Sequence, residues 1–167
     1  IEDSFIKEEV DIASILARAI KSAKVNAEAK GVKLSLINHR KEKHTIEGDP
    51  LLIQIALSNI ISNAIKYNNM DGIVEIEVDE DKDNLIIKVS DNGVGIPKEE
   101  TEKIFNDFYR ASNIKHGSVE GSGLGLSVVK QIVERHNGTI NVQSPSHLST
   151  NKYPGTCVKI TLPFLKK

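Results

Sequence analysis

Residues 50 to 68 constrain the fold more than any other part of the chain. They form its most apolar stretch of helical period, with Asp49 placed to cap it, Pro50 at its first position and Gly72 beyond its end. At 100° per residue, Ile53, Leu57, Ile60, Ile61 and Ala64 make one wholly apolar side, while Leu52, Ile55, Ala56, Asn59, Asn63 and Lys66 line another. That second stripe begins apolar and turns polar. It fits either a core helix whose C-terminal end borders a polar cavity or a helix end facing solvent. In a cavity, amide oxygens suit Mg²⁺ when phosphate supplies the charge, and Lys66 meets phosphate as a point charge.

The other periodic segments set the class. Within residues 8 to 30, Val10, Ile12, Ile15, Leu16, Ala19, Ile20 and Ala23 recur at helical spacing, which predicts an amphipathic helix started by Asp11 or Ser14 and closed by Gly31. Strand patterns follow at 32 to 37, 45 to 47, 73 to 78, 85 to 90, 139 to 143 and 157 to 162, with a hairpin turn at 80 to 84. A third long helix is expected from 124 to 136, stopped by Asn137-Gly138. The expectation is an α+β fold: a two-layer α/β sandwich whose mixed, mostly antiparallel sheet is covered on one face by three helices. The 167 residues suit one domain.

Composition removes several classes of function. With 22 Lys plus Arg against 23 Asp plus Glu, the chain offers no broad basic surface to nucleic acid or anionic lipid, so phosphate recognition has to be local. Cys157 stands alone, which excludes an internal disulfide and fits a reducing, cytoplasmic compartment. No apolar run reaches the ~20 residues of a membrane-spanning helix. The opening Ile-Glu-Asp-Ser-Phe has neither an initiator Met nor a signal pattern, so a fragment of a longer protein, membrane-anchored or not, is expected.

Residues 91 to 123 are irregular and glycine-rich apart from a short helical piece at 99 to 105, and a connection of that length in a compact domain is functional or mobile. Asp91-Asn92-Gly93-Val94-Gly95-Ile96 follows an apolar strand directly. An Asp there can accept from an exocyclic amine such as adenine N6 while the glycines let backbone approach a flat base; a tight turn uses the same residues. Gly121-Ser122-Gly123-Leu124-Gly125-Leu126 opens the third helix, where free N–H groups cradle phosphate or where glycines simply hinge. It lacks the Gly-Lys-Ser/Thr of a P-loop and the Rossmann spacing. Between the two lie Phe105, Phe108 and Tyr109, an aromatic anchor or mini-core, and Arg110, placed to stabilise transferring phosphate or to sit solvated at the surface.

In order and spacing these signals resemble one family. Asn59-x-x-x-Asn63-x-x-Lys66-Tyr67 is similar to the N box of sensor histidine kinases, and Asp91-x-Gly93-x-Gly95 to their first glycine box. Phe105-x-x-Phe108-Tyr109-Arg110 resembles the F box, and Gly121-x-Gly123-x-Gly125-Leu126 the second glycine box. The resemblance implies a catalytic domain that binds ATP and Mg²⁺, on the fold shared with gyrase, heat-shock chaperone and mismatch-repair ATPases. It implies Asn63 as the Mg²⁺ ligand with Asn59 beside it, Lys66 and Arg110 on phosphates, Tyr67 and Ile96 lining the pocket, and Asp91 on adenine. Gly93, Gly95, Gly121, Ser122, Gly123, Leu124, Gly125 and Leu126 would shape pocket and lid, the lid spanning 111 to 122. Asn68-Asn69, His136-Asn137-Gly138 and the long 144 to 155 loop depart from the family's usual forms without touching that chemistry.

The resemblance further implies γ-phosphoryl transfer to a histidine on a dimerisation hairpin, for relay to a response regulator, in a homodimeric parent. Residues 1 to 8 would then be the linker from that hairpin, and the fragment itself a monomer. Hydrolytic members of the superfamily place Glu, a general base, where Asn59 stands, and an amide cannot activate water. A hydrolase or a serine kinase on this fold, and a nucleotide-binding module without activity, remain the alternatives. None of His39, His44, His116, His136 and His147 is followed by an acidic residue as the family's acceptor is, so all five are expected at the surface and self-phosphorylation is not expected.

Overall fold

The computed structural model describes residues 5–106, 109 and 125–165. Helix α1 (Ile12–Lys30) starts where Asp11 accepts the Ala13 N–H at 3.1 Å, and the Ser14 hydroxyl donates to the same carboxylate at 3.1 Å. Of the two expected starts, Asp11 is therefore the cap. Gly31 ends the helix at φ 74°, a left-handed value that an L side chain rarely tolerates. Val10 does not belong to this helix. It lies in β1 (Glu8–Val10), antiparallel to β3 (Ile46–Gly48), where it is buried; a three-residue strand is too short to show its period beside a long helical one. Glu8, the last residue of the expected linker, is already in that strand.

Helix α2 (Pro50–Lys66) packs between α1 and α3 (Gly125–Arg135), which explains why so much of its circumference is apolar. Ile53, Leu57, Ile60, Ile61 and Ala64 are all buried, as are Ala56 and Ile65. Ile55 is 40% exposed, so the second stripe does not start in the core along its whole width. Truncating Leu57, which is 1% exposed, to Ala costs on the order of 3 kcal/mol through lost transfer energy and a residual cavity.

The main sheet has the order β2-β4-β5-β7-β6, built from β2 (Lys33–Asn38), β4 (Ile73–Glu80), β5 (Asn84–Asp91), β6 (Thr139–Gln143) and β7 (Thr156–Pro163). Only β2 and β4 run parallel; the other neighbours are antiparallel. At the β4–β5 turn, Asp81 Oδ1 accepts the N–H groups of Asp83 (2.9 Å) and Asn84 (2.8 Å). These backbone donors hold its carboxyl below the usual range. Val74, Ile76, Val78, Leu85, Ile87, Val89, Ile160 and Leu162 point to one face and are buried there with the three helices. Glu75, Glu77 and Lys88 alternate onto the face opposite the three helices. The expected helical piece at 99 to 105 is two 3₁₀ turns, Lys98–Glu100 and Lys103–Phe105. Among the described residues, no helix is long and apolar enough to cross a membrane.

Candidate functional site

The last turns of α2 carry Asn59, Asn63 and Lys66, each half-buried. Two neighbours close on them. Gly125, the first described residue of α3, would place an added Cβ 3.6 Å from Asn63 Nδ2, so α3 stands against the Asn63 amide there. At the end of α2, Tyr67 is the cap residue, and its carbonyl accepts the Val94 N–H at 3.1 Å. A Cβ on Gly93 would overlap that same carbonyl oxygen, so the glycine is what lets the 91 to 96 loop lie against the helix end.

Asp91 closes β5 and is 8% exposed. Its Oδ1 accepts the N–H groups of Gly93 (2.9 Å) and Thr156 (3.2 Å). Among the described residues both bonds fall on that one oxygen, leaving Oδ2 to accept from a ligand. Burial raises the Asp91 carboxyl to about 7, against the opposing pull of the two backbone donors. A carboxyl held at that cost beside a loop of glycines marks a recognition group more often than a structural one.

The 144 to 155 loop builds the other wall. Ser146 Oγ donates to the Asp91 carbonyl at 2.7 Å, and Ser144 Oγ donates to the Gly155 carbonyl at 2.7 Å while accepting the Ile96 N–H at 3.2 Å. Gly155 N–H returns to the Gly93 carbonyl at 3.0 Å. Gly95, at φ 72°, faces Pro154 so closely that a Cβ would overlap it. The residues around 68 also take part: Asn69 Nδ2 donates to the Asn92 carbonyl (3.2 Å), Asn92 Oδ1 accepts the Ile73 N–H (2.8 Å), and Asn68 Nδ2 donates to the Ile73 carbonyl (3.0 Å). Sequence reasoning set Asn68, Asn69 and this loop apart from the chemistry. Their bonds go to backbone groups 11 to 55 positions away or across a turn, and no local pattern announces such partners.

Arg110, Gly121, Ser122, Gly123 and Leu124, like the expected lid at 111 to 122, lie outside the described residues. So does Phe108. Of the aromatic segment, Phe105 packs beneath Lys130 of α3, with the ammonium 5.4 Å from the ring centroid. Tyr109 donates to the Glu100 carboxylate, a bond that raises the phenol to about 12. Leu126 is half-buried on α3, and Ile96 is half-buried beside Ser144.

His136 corrects the expectation of a surface residue. It is 5% exposed at the end of α3, where Nε2 accepts the Asp49 N–H (3.0 Å) and Nδ1 donates to the Ile132 carbonyl (2.7 Å). Phe5 meets its ring edge-on at 5.0 Å between centroids. The imidazole joins the end of α3 to the start of α2 and is absorbed by that role. His39, His44 and His147 are exposed as expected, and His116 lies outside the described residues.

The donor set fits Mg²⁺ only in company with phosphate. Asn63 offers a neutral amide oxygen beside α3, so the nucleotide must bring the negative charge the ion needs. An acceptor at a strand end, with amides and an ammonium on one helix and Gly125 of α3 against them, is a donor set that suits a nucleotide-binding domain.

Residues 48 to 166 match the family of histidine kinase-, DNA gyrase B- and HSP90-like ATPases, and the chain belongs to that family, in the ATP-binding catalytic domain type of sensor histidine kinases. It is 41% identical over 115 residues to the sensor protein IrlS of Burkholderia pseudomallei, covering 67% of this chain and 25% of that protein. It is 34% identical over 154 residues to the sensor-like histidine kinase SenX3 of Mycobacterium bovis, covering 92% of this chain and 35% of that one. The chain thus spans about a quarter to a third of these relatives. Among solved structures, a mycobacterial sensor histidine kinase, MprB, superimposes with a TM-score of 0.80 at 27% identity, over 97% of this chain and 100% of that one. The catalytic domain of the histidine kinase ThkA gives 0.79 at 21% identity, over 95% and 97%, a likeness of fold.

Proposed function

We propose that this domain binds Mg-ATP and delivers its γ-phosphoryl group to a histidine on the dimerisation hairpin of a two-component sensor kinase, for relay to a response regulator. The observation that carries the reading is Asp91: a buried carboxyl with one oxygen saturated by backbone and the other left to accept the adenine amine. From there the Asn59, Asn63 and Lys66 face of α2 leads to α3 at Gly125, the course a triphosphate has to follow. Asn63 would hold Mg²⁺, which would supply positive charge to the phosphates, and Lys66 and Arg110 would neutralise charge that develops as the bond to the leaving ADP breaks and the bond to the imidazole nitrogen forms. Asn59, an amide, leaves no base for water, which favours transfer over hydrolysis. Gly121, Ser122, Gly123 and Leu124 contribute N–H groups to the phosphates, and 111 to 122 act as the lid over them.

The deciding experiment mixes the protein with γ-labelled ATP and Mg²⁺, with and without a separately supplied hairpin from its parent. Acid-labile label should appear on the hairpin and not on this chain. Label on this chain alone, or equal binding of ATP and GTP, would overturn the assignment.

A further inference from the structure

The face of the sheet opposite the three helices carries a group that nucleotide chemistry does not use. Glu75 and Glu77 are two apart on β4 and so project to the same side. His147, from the 144 to 155 loop, reaches over them and brings Nε2 to 2.6 Å from Glu75 Oε2. One donor atom from each of Glu75, Glu77 and His147 lies within 4.8 Å of the other two. His39 Nε2 also stands 3.1 Å from Glu77 Oε2 and steadies that carboxylate.

From this convergence we propose that Glu75, Glu77 and His147 bind a divalent transition metal of the zinc class, as a site separate from the nucleotide pocket. Zinc takes nitrogen and carboxylate oxygen at about 2.0–2.2 Å, so three ligands on one ion stand roughly 3.4 Å apart, and small side-chain rotations bring these donors there. The two glutamates are only partly exposed, at 22% and 23% of their side-chain surface, which limits the water they shed on binding. Water completes the coordination. An imidazole with two carboxylates selects zinc, cobalt or nickel over magnesium and calcium, whose ligands are oxygen alone. Lys88 is the cross-strand neighbour of Glu77, yet among the described residues no ion pair within 4.0 Å joins them, so it is His39, not a lysine, whose contact a cation shares at that carboxylate. The ligands come from a strand and from a loop whose next residue back, Ser146, holds the Asp91 carbonyl. A bound ion therefore clasps that loop to β4 and stiffens the wall behind the nucleotide pocket.

Calorimetry with zinc chloride on the nucleotide-free, metal-stripped protein tests this, with cobalt chloride as a visible-absorption probe. One saturable equivalent is expected, unaffected by excess Mg²⁺. His147→Ala, Glu75→Gln and Glu77→Gln should each weaken it tenfold or more while circular dichroism stays unchanged, because these are partly exposed side chains away from the core. His44→Ala, which removes an exposed imidazole–carboxylate contact remote from these ligands, His44 to Glu42 at 2.6 Å, should leave binding as it is. Absence of saturable zinc binding, retention of full affinity by His147→Ala, or its loss in His44→Ala would each overturn the site.

Discussion

The two ends of α2 are both polar, and they are polar in opposite ways. At the N-terminus, Asp49 is 6% exposed and its carboxylate accepts from Leu51 (3.0 Å), Leu52 (3.3 Å) and Ile6 (3.4 Å), while its own N–H donates to buried His136 at 3.0 Å. The hydrogen-bonding capacity there is spent within the protein. At the C-terminal half, Asn59, Asn63 and Lys66 are half-buried, and among the described residues none has a side-chain hydrogen-bond partner. The helix's last carbonyls are instead served by Lys30, whose Nζ donates to Ile65 (3.2 Å) and Lys66 (2.7 Å) and whose pKa is lowered by burial. Because Lys30 does the capping, Lys66 is released from it. A saturated buried polar cluster is fixed within the fold, whereas half-buried groups without a protein partner are accessible to a ligand or to water.

That contrast breaks if the N-terminal cluster proves functional or the C-terminal one structural. The largest effect is expected from His136→Ala, which strands the Asp49 N–H and empties a buried site, costing about 3 kcal/mol in chemical denaturation. Nucleotide affinity at a temperature where the variant is folded should be unchanged. Asn63→Ala should do the reverse, with stability within about 0.5 kcal/mol of the parent and Mg²⁺-dependent nucleotide binding lowered by about a hundredfold, as read by calorimetry. If Mg²⁺ helps both proteins equally, Asn63 is not the ligand.

Asp91 sharpens the comparison, because it is saturated on one oxygen and open on the other. Burial raises its folded pKa from the ordinary carboxylate range to about 7, so the folded state binds the proton more tightly than the unfolded state does. Stability from this group is then present below the unfolded value and lost as pH rises from about 4 through about 7. Asp91→Asn keeps Oδ1 as an acceptor and removes the buried charge, which should stabilise the nucleotide-free protein at pH 8 by on the order of 2 kcal/mol. It also turns the open acceptor into a donor, so preference for ATP over GTP should vanish. Retained adenine preference would remove Asp91 from base recognition. The smallest effect is that of Asp49→Ala, about 1 kcal/mol from the lost cap, with nucleotide affinity unaltered.

The periodicity of 50 to 68, the cap at Asp49, the choice of Asp11 or Ser14 as the start of α1, and the alternating strands were legible in the sequence because each depends on neighbours within a turn or two. Hence the three helices and the main sheet could be read directly. Three matters could not. His136 has the sequence surroundings of a helix end, and only the approach of α2's N-terminus, 87 positions away, makes it a core residue. β1 exists because β3 lies beside it, not because three residues prefer to be extended. The pocket wall at 144 to 155 depends on hydrogen bonds from Ser144, Ser146 and Gly155 to backbone of the 91 to 96 loop and to one another. What the sequence by itself determined was the three long helices and the strands of the main sheet, since propensity, capping and period act locally. Which polar groups are used up inside the fold and which remain for a ligand was decided only by tertiary structure, because a hydrogen bond is spent or spared according to what distant segment arrives beside it.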